Sequence, residues 1–226
     1  MKKRTKLILS GVLWILAVAF IYVLRTVDVA AIGPEDTSVG LSYLNGEVAE
    51  TVGVNMTWYT VTEILGYVSL ALAAFFVVVG GIQLIKRKSL RKVDTEILML
   101  GGLYAATAAL YVLFEKVVIN YRPVILPGSE HTEASFPSSH TMLACVILGS
   151  AGILAARSIK NRTVRLLLQI LCGVLVFVMV CGRMISGVHW FTDIVGALLF
   201  SGALLTLYSA LITKKKRSGE KTVRHS

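Results

Sequence analysis

The chain has 226 residues, of which 55% are hydrophobic and 16% charged, with a formal net charge of +10, and its mean hydropathy is +0.74. That balance excludes an ordinary soluble domain and favours a single membrane-embedded one. The positive excess does not point to nucleic acid, because the basic residues sit in short clusters between apolar runs instead of along one polar face.

Residues 1–6 are basic, and residues 7–24 form an apolar run long enough to cross the hydrocarbon core of a bilayer. A signal peptide is the rival reading, since Val29, Ala30 and Ala31 end in small residues, but the run is long for one and reads as a retained anchor. Residues 26–57 are mixed and acidic, with Gly33-Pro34 and Asn45-Gly46 as turn signals, and predict an external segment with some interfacial helix. Asn55-Met56-Thr57 matches a glycosylation sequon, a short pattern of little weight by itself. Trp58 and Tyr59 are placed like an interfacial aromatic belt and open a second span that reaches residue 84.

A basic loop covers 86–92, a third span 97–119 and a polar connection 120–136, in which Glu130, His131 and Glu133 read as a solvated loop near the mouth of a site, with a role in substrate entry as the alternative. The fourth span runs from Ser138 to residue 156 and is followed by a basic loop at 157–165. The fifth covers 166–181 and the sixth 190–212, and the composition of the basic tail, 213–226, predicts disorder. The expected fold is all-α, a polytopic bundle of six transmembrane helices. It divides into an N-terminal helix with its external segment (1–59), a core (60–212) and the tail. Cys145, Cys172 and Cys181 lie in apolar runs without metal-ligand spacing and read as packing residues. Gly80-Gly81 and Gly101-Gly102 predict close helix packing.

Nineteen of the 23 Lys and Arg residues fall at the N-terminus, in the two basic loops and in the tail. The positive-inside rule then predicts a multi-pass protein of the cell membrane with both termini cytoplasmic. With that orientation Arg122, His140, Arg183 and His189 all come to the extracytoplasmic ends of their spans, at one depth. Ionisable residues at such positions are functional candidates by default.

Their chemistry is coherent. Pro137-Ser138-Ser139-His140 reads as a helix opening, where Ser caps well and the unpaired N–H groups and helix dipole attract an anion; taken alone it is more readily an ordinary helix cap, and His140 beside it favours the anion site. His189 and Asp193 are four apart, so on a helix they share a face, and a carboxylate on one imidazole nitrogen leaves the other free as nucleophile or base. Taken alone the pair is equally a polar contact between spans. Arg122 and Arg183 supply two guanidinium forks for phosphate. Together these groups suit phosphoryl transfer: one histidine attacks phosphorus, the other protonates the departing alkoxide, and no metal or cofactor is required.

The order and spacing of Arg122-Pro123, of Pro137-Ser138-Ser139-His140, and of Gly182-Arg183 with His189 and Asp193 resemble the three motifs of the type 2 phosphatidic acid phosphatase (PAP2) superfamily of membrane lipid phosphatases. The likeness spans about residues 60–212. It implies a nucleophilic His189 that forms a phosphohistidine, an orienting Asp193 and an acid His140. Phosphate would be bound by Arg122, Arg183, Ser138 and the backbone around Ser139. Three positions depart from the pattern. The motif lysine falls on Glu115, with Lys116 one residue late and rotated by about 100° on a helix, a weaker phosphate ligand. Ser139 stands for a glycine, and Gly182 for a serine. The implied partners are the bilayer and a lipid phosphate such as phosphatidic acid, phosphatidylglycerophosphate or undecaprenyl diphosphate, with no nucleic acid; the oligomeric state is left open. Phosphotransfer to a second lipid, or a non-enzymatic transporter or scaffold that keeps the phosphate site, are the competing readings.

Overall fold

The computed structural model describes residues 1–213 of the chain. Seven α-helices form among them: α1 (Lys3–Thr26), α2 (Ser42–Val52), α3 (Met56–Arg87), α4 (Thr95–Lys116), α5 (Ser139–Ser158), α6 (Arg162–Ser186) and α7 (Phe191–Leu211). All but α2 are long and apolar enough to cross a membrane. At 1.5 Å per residue the 21-residue α7 spans about 32 Å and the 32-residue α3 about 48 Å, so α3 outruns a hydrocarbon core of about 30 Å. The tail expected to be disordered lies, apart from Thr213, outside the described residues.

Local chemistry sets the helix ends. Asn55, read above as half of a sequon, is the N-cap of α3 and accepts a hydrogen bond from the Trp58 N–H at 3.1 Å. Asn161 caps α6 in the same way through Val164. α6 runs on to Ser186, past the expected end at residue 181, so Arg183 lies in its last turn. Gly187 ends it in the left-handed conformation (φ 68°), where an added Cβ would run into the carbonyl of Gly53. The polar connection after α4 is tied down by a bridge between Tyr121 and Ala134 and contains a cis peptide at Phe136-Pro137.

α5 and α7 form the centre of the bundle, and both are buried over about half their spanning windows. α1 lies along α7, where the Ser10 hydroxyl donates to the Ala203 carbonyl and Trp14 meets Phe200 edge-on at 5.6 Å. α3 and α6 flank α5 on one side, and α4 closes the other. The core joining these layers is aromatic: Phe114 of α4, Phe136 of the connection and Phe200 of α7 pack with centroids 5.3 to 6.5 Å apart. The outer faces of α1, α3 and α6 carry exposed Ile15, Val18, Val77, Ile85, Leu167 and Phe177, which suits contact with lipid.

The external segment is partly structured, as expected. It forms a two-residue hairpin (β1, Ala30–Ala31; β2, Ser38–Val39) followed by α2. It braces the start of α7: buried Asn45 donates to the hydroxyl of Thr192 and accepts from the Thr192 N–H. Of the four paired glycines, only Gly80 makes a close helix approach, to Ile97. A Cβ at Gly81, Gly101 or Gly102 would meet open space, so the expected packing motif is confined to one residue.

Candidate active site

The turn between α6 and α7 sets the first half of the site. Asp193 sits in the first turn of α7 and accepts the backbone N–H of Trp190 at 3.0 Å, as a helix-capping carboxylate does. Its other oxygen accepts from Asn120 at 2.9 Å, and its backbone carbonyl accepts from the Ser138 N–H at 3.1 Å. A fully buried carboxylate held by such donors is fixed in place. It presents Oδ2 at 3.5 Å from His189 Nδ1, a contact outside hydrogen-bond geometry.

The opposite nitrogen of that imidazole, Nε2, lies 3.2 Å from Nη1 of Arg122. A guanidinium can only donate, so Nε2 carries the lone pair and the ring proton belongs on Nδ1, toward Asp193. The buried guanidinium of Arg122 also donates to the Val188 carbonyl, and its Nε pairs with Glu133 at 3.2 Å. Glu133 is therefore not an idle loop residue. Its neighbour His131 pairs with Glu35 at 2.9 Å, and with the Thr132 backbone and hydroxyl this contact pushes the exposed Glu35 carboxyl down to about 2. His189 is almost wholly enclosed. Burial first, and then the charges of Arg122, Arg183 and His140, hold its imidazole well below the usual histidine range.

The second half comes from α5, α6 and α3. Ser138 occupies the N-cap of α5, but its hydroxyl bonds the Thr141 hydroxyl at 3.0 Å and caps no amide. The first-turn N–H groups, beginning at Ser139, are left for another acceptor. His140 is the second residue of α5, and its Nε2 lies 3.1 Å from Glu63 Oε1 on α3. The same oxygen is 2.5 Å from Nη2 of Arg183, whose side chain is wholly buried over the ring of Tyr59 at 5.2 Å. Nε and Nη1 of Arg183 have no partner among the described residues.

The two halves meet at Ser139, which borders a small hollow with His189 and a larger groove with His140. That groove, about 370 Å³, runs from His140 along Gly66, Tyr67 and Leu70 of α3 and Tyr104 and Tyr111 of α4. His189, Asp193, His140, Arg122, Arg183, Ser138 and Ser139 are thus brought to one end of the bundle. Lys116 is not gathered with them: it is the exposed last residue of α4 and makes no hydrogen bond or ion pair among the described residues. Glu115 is the residue that borders the His189 hollow, as the one-residue offset predicts.

Sequence reasoning missed Glu63, Tyr59 as a platform for Arg183, Asn120 and Glu133. A lone carboxylate inside an apolar span was signal enough for Glu63. Asn120 was a polar residue directly beyond a span, with no pattern of its own.

Residues 96–217 match the PAP2 superfamily. Comparison with curated proteins gives no match. Among solved structures the chain is similar to the crystal structure of a transmembrane PAP2-type phosphatidylglycerolphosphate phosphatase from Bacillus subtilis, with a TM-score of 0.60 and 18% identity over 89% of this chain and 94% of that one. At that identity the likeness is one of fold.

Proposed function

The chain belongs to the PAP2 superfamily, and from that membership we propose that this multi-pass membrane protein is a lipid phosphatase working through a phosphohistidine at His189. The observation that carries the reading is the orientation of the His189 ring, with Asp193 behind Nδ1 and the free pair of Nε2 directed at the Arg122 guanidinium, where an anion would seat.

In this mechanism the phosphate of the lipid settles between Arg122, Arg183 and the first-turn amides of α5 beginning at Ser139, which take up charge on its equatorial oxygens; the N–H and hydroxyl of Ser138, bonded to the Asp193 carbonyl and to Thr141, are not among its ligands. Nε2 of His189 attacks phosphorus as the P–O bond to the lipid breaks, and the electron pair leaves with the alkoxide. His140 gives that oxygen a proton. Asp193, with Oδ2 3.5 Å from Nδ1, offsets the charge that grows on the ring. Water then attacks the phosphohistidine with His140 as base, the P–N bond breaks, and phosphate and free His189 result. The groove beside His140 suits an acyl or prenyl chain, being apolar along α3 and α4. Lys116 would reach the phosphate only by bending along its long side chain. No step calls for a metal ion.

Phosphatidic acid, phosphatidylglycerophosphate and a polyprenyl diphosphate are the substrates the site would take, at the extracytoplasmic leaflet if the basic loops face the cytoplasm. Phosphate release from these lipids by the purified protein with EDTA present tests the reading. Release that His189→Ala abolishes is expected; release that survives the substitution, or none from any of the lipids, contradicts it.

A further inference from the structure

Both guanidiniums of the site already face a carboxylate, Arg122 that of Glu133 and Arg183 that of Glu63. The two pairs are not alike. Glu133 sits at the rim with its side chain about half exposed and is also bonded by the Ser129 hydroxyl. Glu63 reaches in from α3, outside the residues that match the family, and its one oxygen Oε1 contacts two donors of the site at once, Arg183 Nη2 and His140 Nε2.

The wall of α3 is shaped for this contact. Tyr59, one turn before Glu63, lies under the guanidinium, and Gly66, one turn after it, leaves room for the His140 ring, where a Cβ would come within 2.8 Å of Cδ2. A wholly buried arginine requires an anion, and Glu63 provides one. Yet Nε and Nη1 have no partner among the described residues, so there the carboxylate satisfies only one of three nitrogens that a phosphate group could engage.

We propose that Glu63 is an affinity-setting residue that occupies the phosphate seat of the unliganded protein and competes with the phosphate of substrate and product for Arg183 and His140. The inference rests on the phosphatase reading and adds a consequence to it: the seat binds free inorganic phosphate weakly, because each phosphate that enters must share or displace an internal carboxylate. Product therefore leaves readily. Glu133, half in solvent, competes less, since water screens it.

The test is isothermal titration of inorganic phosphate into the full-length protein in detergent. Glu63→Gln, which keeps an acceptor oxygen but removes the charge, should tighten phosphate binding about tenfold, and Glu133→Gln about twofold. Glu63→Asp, which retains the charge but withdraws it from both donors, should fall between wild type and Glu63→Gln. A Glu63→Gln protein with unchanged or weaker phosphate binding overturns the proposal and makes Glu63 a scaffold for Arg183. If Glu63→Gln does not fold, the sign of the change in Glu63→Asp decides the matter alone. Lipid phosphate release is measured in parallel on the wild type. Tighter binding in the variants without any lipid turnover would refute the phosphatase reading and leave the competition standing, and the reverse pattern would do the opposite.

Discussion

At the scale of single residues, His189 is the side chain whose surroundings are most constrained. Burial, Arg122, Arg183 and His140 all favour its neutral form, so its folded pKa lies below that of the unfolded chain. For such a group the unfolded state binds the proton first as pH falls. Its contribution to stability is present above about pH 6.5 and is lost below it, at up to about 1.4 kcal/mol per pH unit. The unfolding midpoint of substrate-free protein should fall between pH 7.5 and 5.5 more steeply in wild type than in His189→Asn; equal slopes would show that the imidazole is not held neutral. The arginine and lysine positions should separate as sharply. Arg122→Ala should lower the turnover of lipid phosphate by about 10²–10³-fold, whereas Lys116→Ala, at an exposed position, should cost about fivefold or less. A large loss in Lys116→Ala would place its side chain in the site after all. The residues legible in the sequence were those with a spacing to betray them, His189 with Asp193 and the Ser-Ser-His run. Asn120 was passed over because it stands alone in its stretch and acquires meaning only when the connection folds against α7, whereas Glu63 carried its signal in the sequence as a lone carboxylate in an apolar span.

At the scale of elements, the departure at Gly182 has a steric cause. A Cβ there would lie 2.6 Å from Thr62 Cγ2 and 3.0 Å from the Trp58 ring, so α6 approaches α3 too closely for a side chain. Gly182→Ser, although it restores the serine of the family motif, should destabilise the protein by about 1–3 kcal/mol and lower its thermal midpoint; an unchanged midpoint would mean that the two helices separate at no cost. The same approach brings Glu63 to Arg183, so the glycine and the ion pair are two results of one packing contact. Six spans could be read from apolar runs and basic loops, because hydropathy and length mark a membrane helix well. Their ends could not: α6 continues through Arg183 to Ser186 because Gly187, and not the first polar residue, stops it. Nor was the shape of the connection between α4 and α5 legible, since its order depends on buried Phe136 and Asn120 meeting α7.

At the scale of the whole molecule, the bundle gathers the proposed site residues at one end and its basic loops at the other, and the positive-inside rule predicts an orientation from that polarity. In a cysteine-free background, a cysteine at Ser129 should react with an impermeant maleimide added to intact cells, and one at Ser89 should not. The opposite pattern would put the site on the cytoplasmic side. Catalysis by the proposed route requires a covalent bond between phosphorus and the ring of His189. Purified protein quenched within milliseconds of mixing with phosphatidic acid labelled in its phosphate should carry alkali-stable, acid-labile label, located at His189 and absent from His189→Ala. Lipid hydrolysis that proceeds with no such label, or label that persists in His189→Ala, would contradict it.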